Sequence, residues 1–382
     1  MKITLSIILS CFFFNSFSQD TTYARKVIKK LTSKEFLGRG YVNDGVNKAA
    51  TYISKELKTT GISKFGKSYS QSYEFPVNTF PGAMSVVLDG RELFAGKHYL
   101  IYPSAKSLKA GFQLFKTDSV TYEANDGRKA FPLKVKLKKK LTYTVETEVV
   151  NETTIELLKD SFPNELKTID VIFENKFIPE FKCQNLCGFV KGTQQPDSFI
   201  VFTAHYDHLG AMGKNAYFPG ANDNASGVSV VLNLAKYYKA HPSKYSVAFI
   251  FFSGEEAGLL GSKYYSEHTL FPLSKIKFLT NLDLLGTGDD GIMVVNASVF
   301  KEQFEKLDQI NKEKNYLKQI KQRGKAANSD HYWFTEKGVP SFFIYTMGGV
   351  SFYHDIYDVA KTLPLTKYLE VFKLLIEFNS KI

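Results

Sequence analysis

Four short, largely apolar runs in the second half of the chain limit the fold more than any other feature. They are residues 199–204, 247–252, 277–282 and 341–345. The first two are apolar almost throughout rather than at alternate positions. A strand of that kind is buried on both faces, which points to a parallel sheet covered by helices. Helical periodicity occupies residues 227–238, 300–315 and 366–378, with Asn224 or Ser226 available to cap the first of these helices. Strand, loop and helix therefore alternate. The pattern predicts an α/β fold, a three-layer α/β/α arrangement around a mixed, mostly parallel central sheet.

The rest of the 382 residues divides by character. Lys2, an apolar stretch over 3–14 and Ser16-Phe17-Ser18 form a secretory signal with cleavage expected after Ser18. Lipidation at Cys11 is disfavoured because Phe12-Phe13-Phe14 prolongs the apolar run. Residues 19–75 carry two amphipathic helices, over 23–31 and 46–57. Residues 76–176 read as a β-rich insertion, with short runs at 85–88, 99–101 and 143–145 broken by turn residues. Residues 177–382 carry the alternating strands and helices. The signal implies an exported protein, periplasmic or secreted, and no later segment is long and apolar enough to insert stably in a membrane.

Net charge is +11 for the whole chain. Part of it comes from Lys134, Lys136, Lys138, Lys139 and Lys140, which alternate with Leu133, Val135 and Leu137 as in an amphipathic strand with a solvated cationic edge. No nucleic-acid motif accompanies this charge. Cys183 and Cys187 are read as two buried thiols. In an extended segment their Cα atoms lie roughly 13 Å apart, out of disulfide reach.

Polar residues cluster where the apolar runs stop. His205 and Asp207 follow the first run, Asp223 precedes the next helix, and Glu255 and Glu256 follow the second run. Asp283 ends the third, and His354 follows the last. In open α/β sheets, sites form beyond the carboxyl ends of the strands. Carboxylates crowded there without compensation would repel one another and lose hydration. A metal centre removes the conflict, and two histidines with several carboxylates suit Zn²⁺ ahead of Mn²⁺ or Co²⁺.

The segments 205–210 (His-Tyr-Asp-His-Leu-Gly), 220–227 (Gly-Ala-Asn-Asp-Asn-Ala-Ser-Gly), 254–262 (Gly-Glu-Glu-Ala-Gly-Leu-Leu-Gly-Ser), 281–283 (Asn-Leu-Asp) and Tyr353-His354 resemble the M28 zinc peptidases. The resemblance extends weakly to residues 36–40 and covers 76–176 least. It implies a zinc-exopeptidase, phosphorylase/hydrolase-like fold and two zinc ions per chain. Asp223 would bridge them, with His205 and Asp283 completing one site and Glu256 and His354 the other. Glu255 would be the general base, and Asp207 would fix the tautomer and ring angle of His205. The implied substrates are peptides with a free amino terminus, cleaved from that end.

Tyr345, Trp333, Phe352 and Tyr353 are candidates for a side-chain pocket, and Asp330-His331 for support. A glutaminyl-peptide cyclotransferase is the first alternative on the same scaffold. The peptidase-like contexts of Asp223 and Glu256, and a tyrosine rather than a tryptophan before His354, favour hydrolysis. A carboxypeptidase would need a cationic clamp such as Arg323 or Lys325. A catalytically dead binding protein would not need the intact set of acids. Oligomeric state is not legible.

Overall fold

The computed structural model describes residues 21–125, 130–162 and 164–382, and the signal expected at 1–18 lies outside them. All four apolar runs are strands, as Gln195–His205, Tyr245–Phe252, Ile276–Leu282 and Ser341–Met347. They pair in parallel in the spatial order Tyr245–Phe252, Gln195–His205, Ile276–Leu282, Ser341–Met347. This parallel block is the middle of a nine-stranded mixed sheet. One flank is antiparallel, where Lys176–Val190 pairs with both Tyr245–Phe252 and Ser70–Thr79. On the other, Gly291–Val295 runs antiparallel to Ser341–Met347 and parallel to Ile320–Gln322.

Both faces of the block are covered, for the reason its composition suggests. Ile200, Phe202, Ala204, Phe249, Phe251 and Ile344 share one core with helices Thr21–Leu31, Gly45–Thr60, Gly227–Ala240 and Tyr368–Ser380. The alternate residues Val201, Ala248, Ile250, Phe252 and Leu279 meet Tyr265 and Phe334, carried by helices Leu260–Glu267 and His331–Glu336. Gly227 starts its helix hard against the sheet. A Cβ there would lie 2.4 Å from Leu282 O, so only glycine allows that approach. Asn224 provides the expected cap, its Oδ1 accepting from Gly227 N–H at 2.9 Å. Ser226 instead donates to Asn222 O.

A second, eight-stranded sheet with its own core around Val86, Leu133, Val135, Ile155, Ile169 and Val171 lies between Ser85 and Phe173. The strands leading into and out of it, Ser70–Thr79 and Lys176–Val190, are partners in the main sheet. The chain thus leaves and re-enters at one place. Two expectations need correction here. The lysine-rich strand Ala130–Lys138 is no edge, because Thr121–Asn125 and Thr153–Leu158 flank it. Its lysines form a face, on which Lys134 pairs with Glu152 and Lys138 with Glu156. Residues 143–145 are not a strand, since the Tyr143 peptide group is engaged by His354. Cys183 and Cys187 are buried and unbridged. Burial pushes the Cys183 thiol up to about 12. Among the described residues no helix is long and apolar enough to cross a membrane.

Candidate metal centre

The polypeptide reverses its lateral direction at Gln195–His205, whose successors in the block lie on opposite sides. Such a switch point opens a crevice at the carboxyl ends of the strands, and there the predicted residues converge. His205 Nε2 is 3.3 Å from Asp223 Oδ1 and 3.3 Å from Asp283 Oδ1. His354 Nε2 is 3.1 Å from Asp223 Oδ2 and 3.2 Å from Glu256 Oε2. The two oxygens of one carboxylate therefore face two separate imidazole–carboxylate pairs. Ligand bonds of about 2.0–2.1 Å at tetrahedral angles place donor atoms about 3.3 Å apart, which is the spacing found in both groups.

Charge supports the same reading. Although burial alone would lower them, the surrounding carboxylates raise His205 well above its ordinary pKa and His354 to about 11. Burial opposes ionisation of Asp223, yet the imidazoles hold it well below the usual carboxylate range. The pocket draws in positive charge. Asp283 Oδ1 is buried with no hydrogen-bond donor. Metal ions would answer both needs, and the nitrogen and oxygen donors suit zinc.

Each group is held from behind. Asp223 sits in the turn Ala221–Ser226, gripped by groups of opposite sign. The fully buried Arg39 guanidinium donates to Pro219 O, Gly220 O and Asp223 O, and also to Tyr206 O and Leu31 O. Burial lowers Arg39 to about 10, still well above neutrality. Asp358 accepts from Asn222 N–H and Asp223 N–H at 2.8–3.0 Å. Asp283 Oδ2 accepts from Ser329 Oγ, which accepts from Asn281 Nδ2, whose Oδ1 accepts from Thr203 Oγ1.

Glu255 and Glu256 leave the strand Tyr245–Phe252 through Gly254, whose φ of 67° suits glycine. Asp207 organises the turn that follows. Its carboxylate accepts from Tyr41 Oη at 2.8 Å and from the N–H groups of Glu255 and Glu256 at 3.3 Å. The nearer neighbour of His205 Nδ1 is the Asp207 main-chain carbonyl at 3.2 Å, against 3.6 Å for its carboxylate. Glu256 Oε1 is bound to His208 Nδ1 at 2.7 Å, leaving Oε2 for His354. Glu255 points instead into the cavity, and burial, reinforced by Glu256, Asp330 and Asp283 against the pull of His205, raises its pKa.

That cavity, about 230 Å³, is also lined by Leu284, Arg323, Asn328, Phe343, Tyr345 and Tyr353. Of the four aromatic candidates, Tyr345 and Tyr353 line it, the latter stacked on His354 at 3.9 Å. Trp333 and Phe352 pack elsewhere, Trp333 against Tyr332 and Phe352 against Tyr357. Lys325 is paired with Glu336, while Arg323 reaches the cavity. Asp330 is buried behind the site, where desolvation pushes it up to about 7. His331 stacks on Phe343.

Sequence reasoning missed His208, Arg39, Asp358 and Tyr143. The last comes from the second sheet's segment and is stacked on Phe218 at 4.6 Å. Its N–H donates to His354 O and its carbonyl lies 3.1 Å from His354 Nδ1. Beside it Lys140 reaches Asp355 at 3.2 Å. For Arg39 and His208 a signal existed, because both lie in segments already singled out. In the sequence Tyr143 is only part of a strand-like run, with nothing local to tie it to the site.

The sequence model of Peptidase family M28 matches residues 185–379. Aminopeptidase YwaD of Bacillus subtilis (strain 168) is 41% identical over 109 residues, 27% of this chain and 22% of that protein. The aligned stretch is thus under a quarter of that relative's length. Among solved structures, BSAP, a zinc aminopeptidase from Bacillus subtilis, superposes with a TM-score of 0.69 at 18% identity, covering 95% of each chain. A glutaminyl cyclase from Bacteroides thetaiotaomicron, bound to N-acetylhistamine, superposes at 0.56 and 14% identity, covering 95% of this chain and 98% of that one.

Proposed function

We propose that this chain, which belongs to peptidase family M28, is an exported aminopeptidase that binds two zinc ions and removes residues from the free amino end of peptides. The observation that carries the reading is Asp223, whose two oxygens face His205 with Asp283 on one side and His354 with Glu256 on the other. His205, Asp223 and Asp283 would hold one ion, and Asp223, Glu256 and His354 the second. Zinc, when bound, lowers the pKa of water and polarises a carbonyl.

The side chains do the remainder. Glu255, raised in pKa and facing the cavity, takes a proton from the attacking water and returns it to the departing amine nitrogen. Asp207 keeps Glu255 and Glu256 aimed in different directions by holding both backbone N–H groups. Tyr345, Tyr353, Phe343 and Leu284 offer an apolar wall for the side chain of the terminal residue. Export rests on the expected leader ending at Ser18, and amino-terminal sequencing of the protein recovered outside the cytoplasm tests it.

The test of the activity is mass spectrometry of a peptide panel incubated with the zinc-loaded protein, including free, acetylated and Gln-led amino termini. Stepwise loss from the amino end, blocked by acetylation and by chelator, is the expected result. Loss of ammonia from Gln-led peptides alone would make the protein a cyclase. Trimming from the carboxyl end would make it a carboxypeptidase.

A further inference from the structure

The cavity contains one basic side chain that the proposed chemistry leaves unused. Arg323 lies just beyond the strand Ile320–Gln322, and its N–H donates to Val294 O at 2.9 Å, continuing the pairing with Gly291–Val295. Its root is therefore fixed, and the residue, which is exposed, lines the cavity shared with Glu255, Asp283, His354 and Tyr345. The neighbouring cation Lys325 is committed to Glu336. Among the described residues no carboxylate pairs with Arg323. Asp223 and Asp283 of the same cavity face His205 and His354 instead.

An exposed cation that lines a cavity, held at its root and without an ion-pair partner among the described residues, can receive an anion there. A guanidinium presents a planar fork that matches a carboxylate through two parallel hydrogen bonds. Resting on the aminopeptidase reading above, the geometry points to Arg323 as a specificity residue that takes a carboxylate of the substrate near the scissile bond. That carboxylate belongs either to an acidic side chain at the amino end or to the free carboxyl terminus of a very short peptide. The same charge disfavours Lys-led and Arg-led peptides.

The experiment compares kcat/KM for the zinc-loaded protein, Arg323→Ala and Arg323→Glu. The substrates are Glu-, Leu- and Lys-led tripeptide amides, together with Leu-Gly and Leu-Gly-amide. A hydrogen-bonded charge pair is worth roughly tenfold or more. The Glu-led to Leu-led ratio should fall by about that factor in Arg323→Ala and shift towards Lys-led substrates in Arg323→Glu. If the loss appears instead in the ratio of Leu-Gly to its amide, the carboxylate recognised is the chain terminus. Both results support the assignment. Ratios unchanged by either variant, with all peptides still cleaved, overturn it and leave the aminopeptidase reading standing. No cleavage of any peptide by the unmodified protein overturns that reading itself, and this inference with it.

Discussion

Replacing Arg39 by lysine keeps a positive charge in place and removes the fork. The guanidinium has five N–H donors, and all five find main-chain carbonyls, at 2.7–3.2 Å. Lysine offers three donors, so at least two buried carbonyls lose their partner. A buried acceptor stranded in this way costs about 1–3 kcal/mol, which places the loss of stability at about 2–6 kcal/mol. Gly220 O also receives Ala225 N–H at 3.3 Å, which moves the expected value towards the lower end. Three of the five carbonyls belong to Pro219, Gly220 and Asp223, so the loss falls on the turn that aims Asp223 at both histidines. Zinc affinity should therefore fall together with stability, by about 10- to 100-fold, as when the groups supporting metal ligands are removed. Urea denaturation of the metal-free variant and competition with a chromophoric zinc chelator measure the two effects. A variant within about 0.5 kcal/mol of the parent, the range of ordinary surface substitutions, and with unchanged zinc affinity would refute the argument.

Glu255→Ala should retain zinc and fold yet lose about 10²–10⁴-fold in kcat, and near-native turnover would remove Glu255 from the mechanism. Chelation should lower the melting temperature, since a ligand present at 100 times its Kd adds about 2.7 kcal/mol per site; identical melting with and without chelator would count against resident metal. In the metal-free protein His354 is raised from 6.5 to about 11 by the facing acids. That stabilisation is complete below pH 6.5 and is lost as pH rises towards 11, so the melting temperature should decline over this window, and a flat profile would contradict the charge balance described. Tyr143→Ala removes the stacking on Phe218 that seats the carbonyl beside His354. It should weaken binding of one zinc about 10- to 100-fold and leave the other nearly unchanged, whereas equal loss at both sites would point to general unfolding.

The parts of this protein that were legible share a physical basis. Residues 199–204 and 247–252 declared buried parallel strands because both faces of such a strand contact apolar neighbours. His205, Glu255, Glu256 and Asp283 could then be assigned to one crevice, since each follows a strand end on the same edge of the sheet. Residues 143–145 show the limit. Their composition suits a strand, but ladder formation depends on a free backbone edge, and the Tyr143 peptide group is taken up by His354. Cys183 and Cys187 are buried and unbridged as expected, on a segment that the structure shows to be a strand.

The amino-acid order by itself determined the α/β alternation, the edge of the sheet at which acids and histidines gather, and the family to which the chain belongs. The first two follow from local periodicity and from the position of each residue within its own element, the family from the motifs that resemble it. Only the tertiary structure decided how the site is held and what else lines it. Arg39 meets carbonyls nearly two hundred positions away, Asp358 holds the Asp223 turn from far along the chain, and Tyr143 reaches His354 from a non-strand segment packed in the second sheet's core. Arg323 enters the cavity through the strand beside it. Hydrogen bonding and burial at such distances depend on how separate elements pack, and periodicity records only which side of an element faces inward.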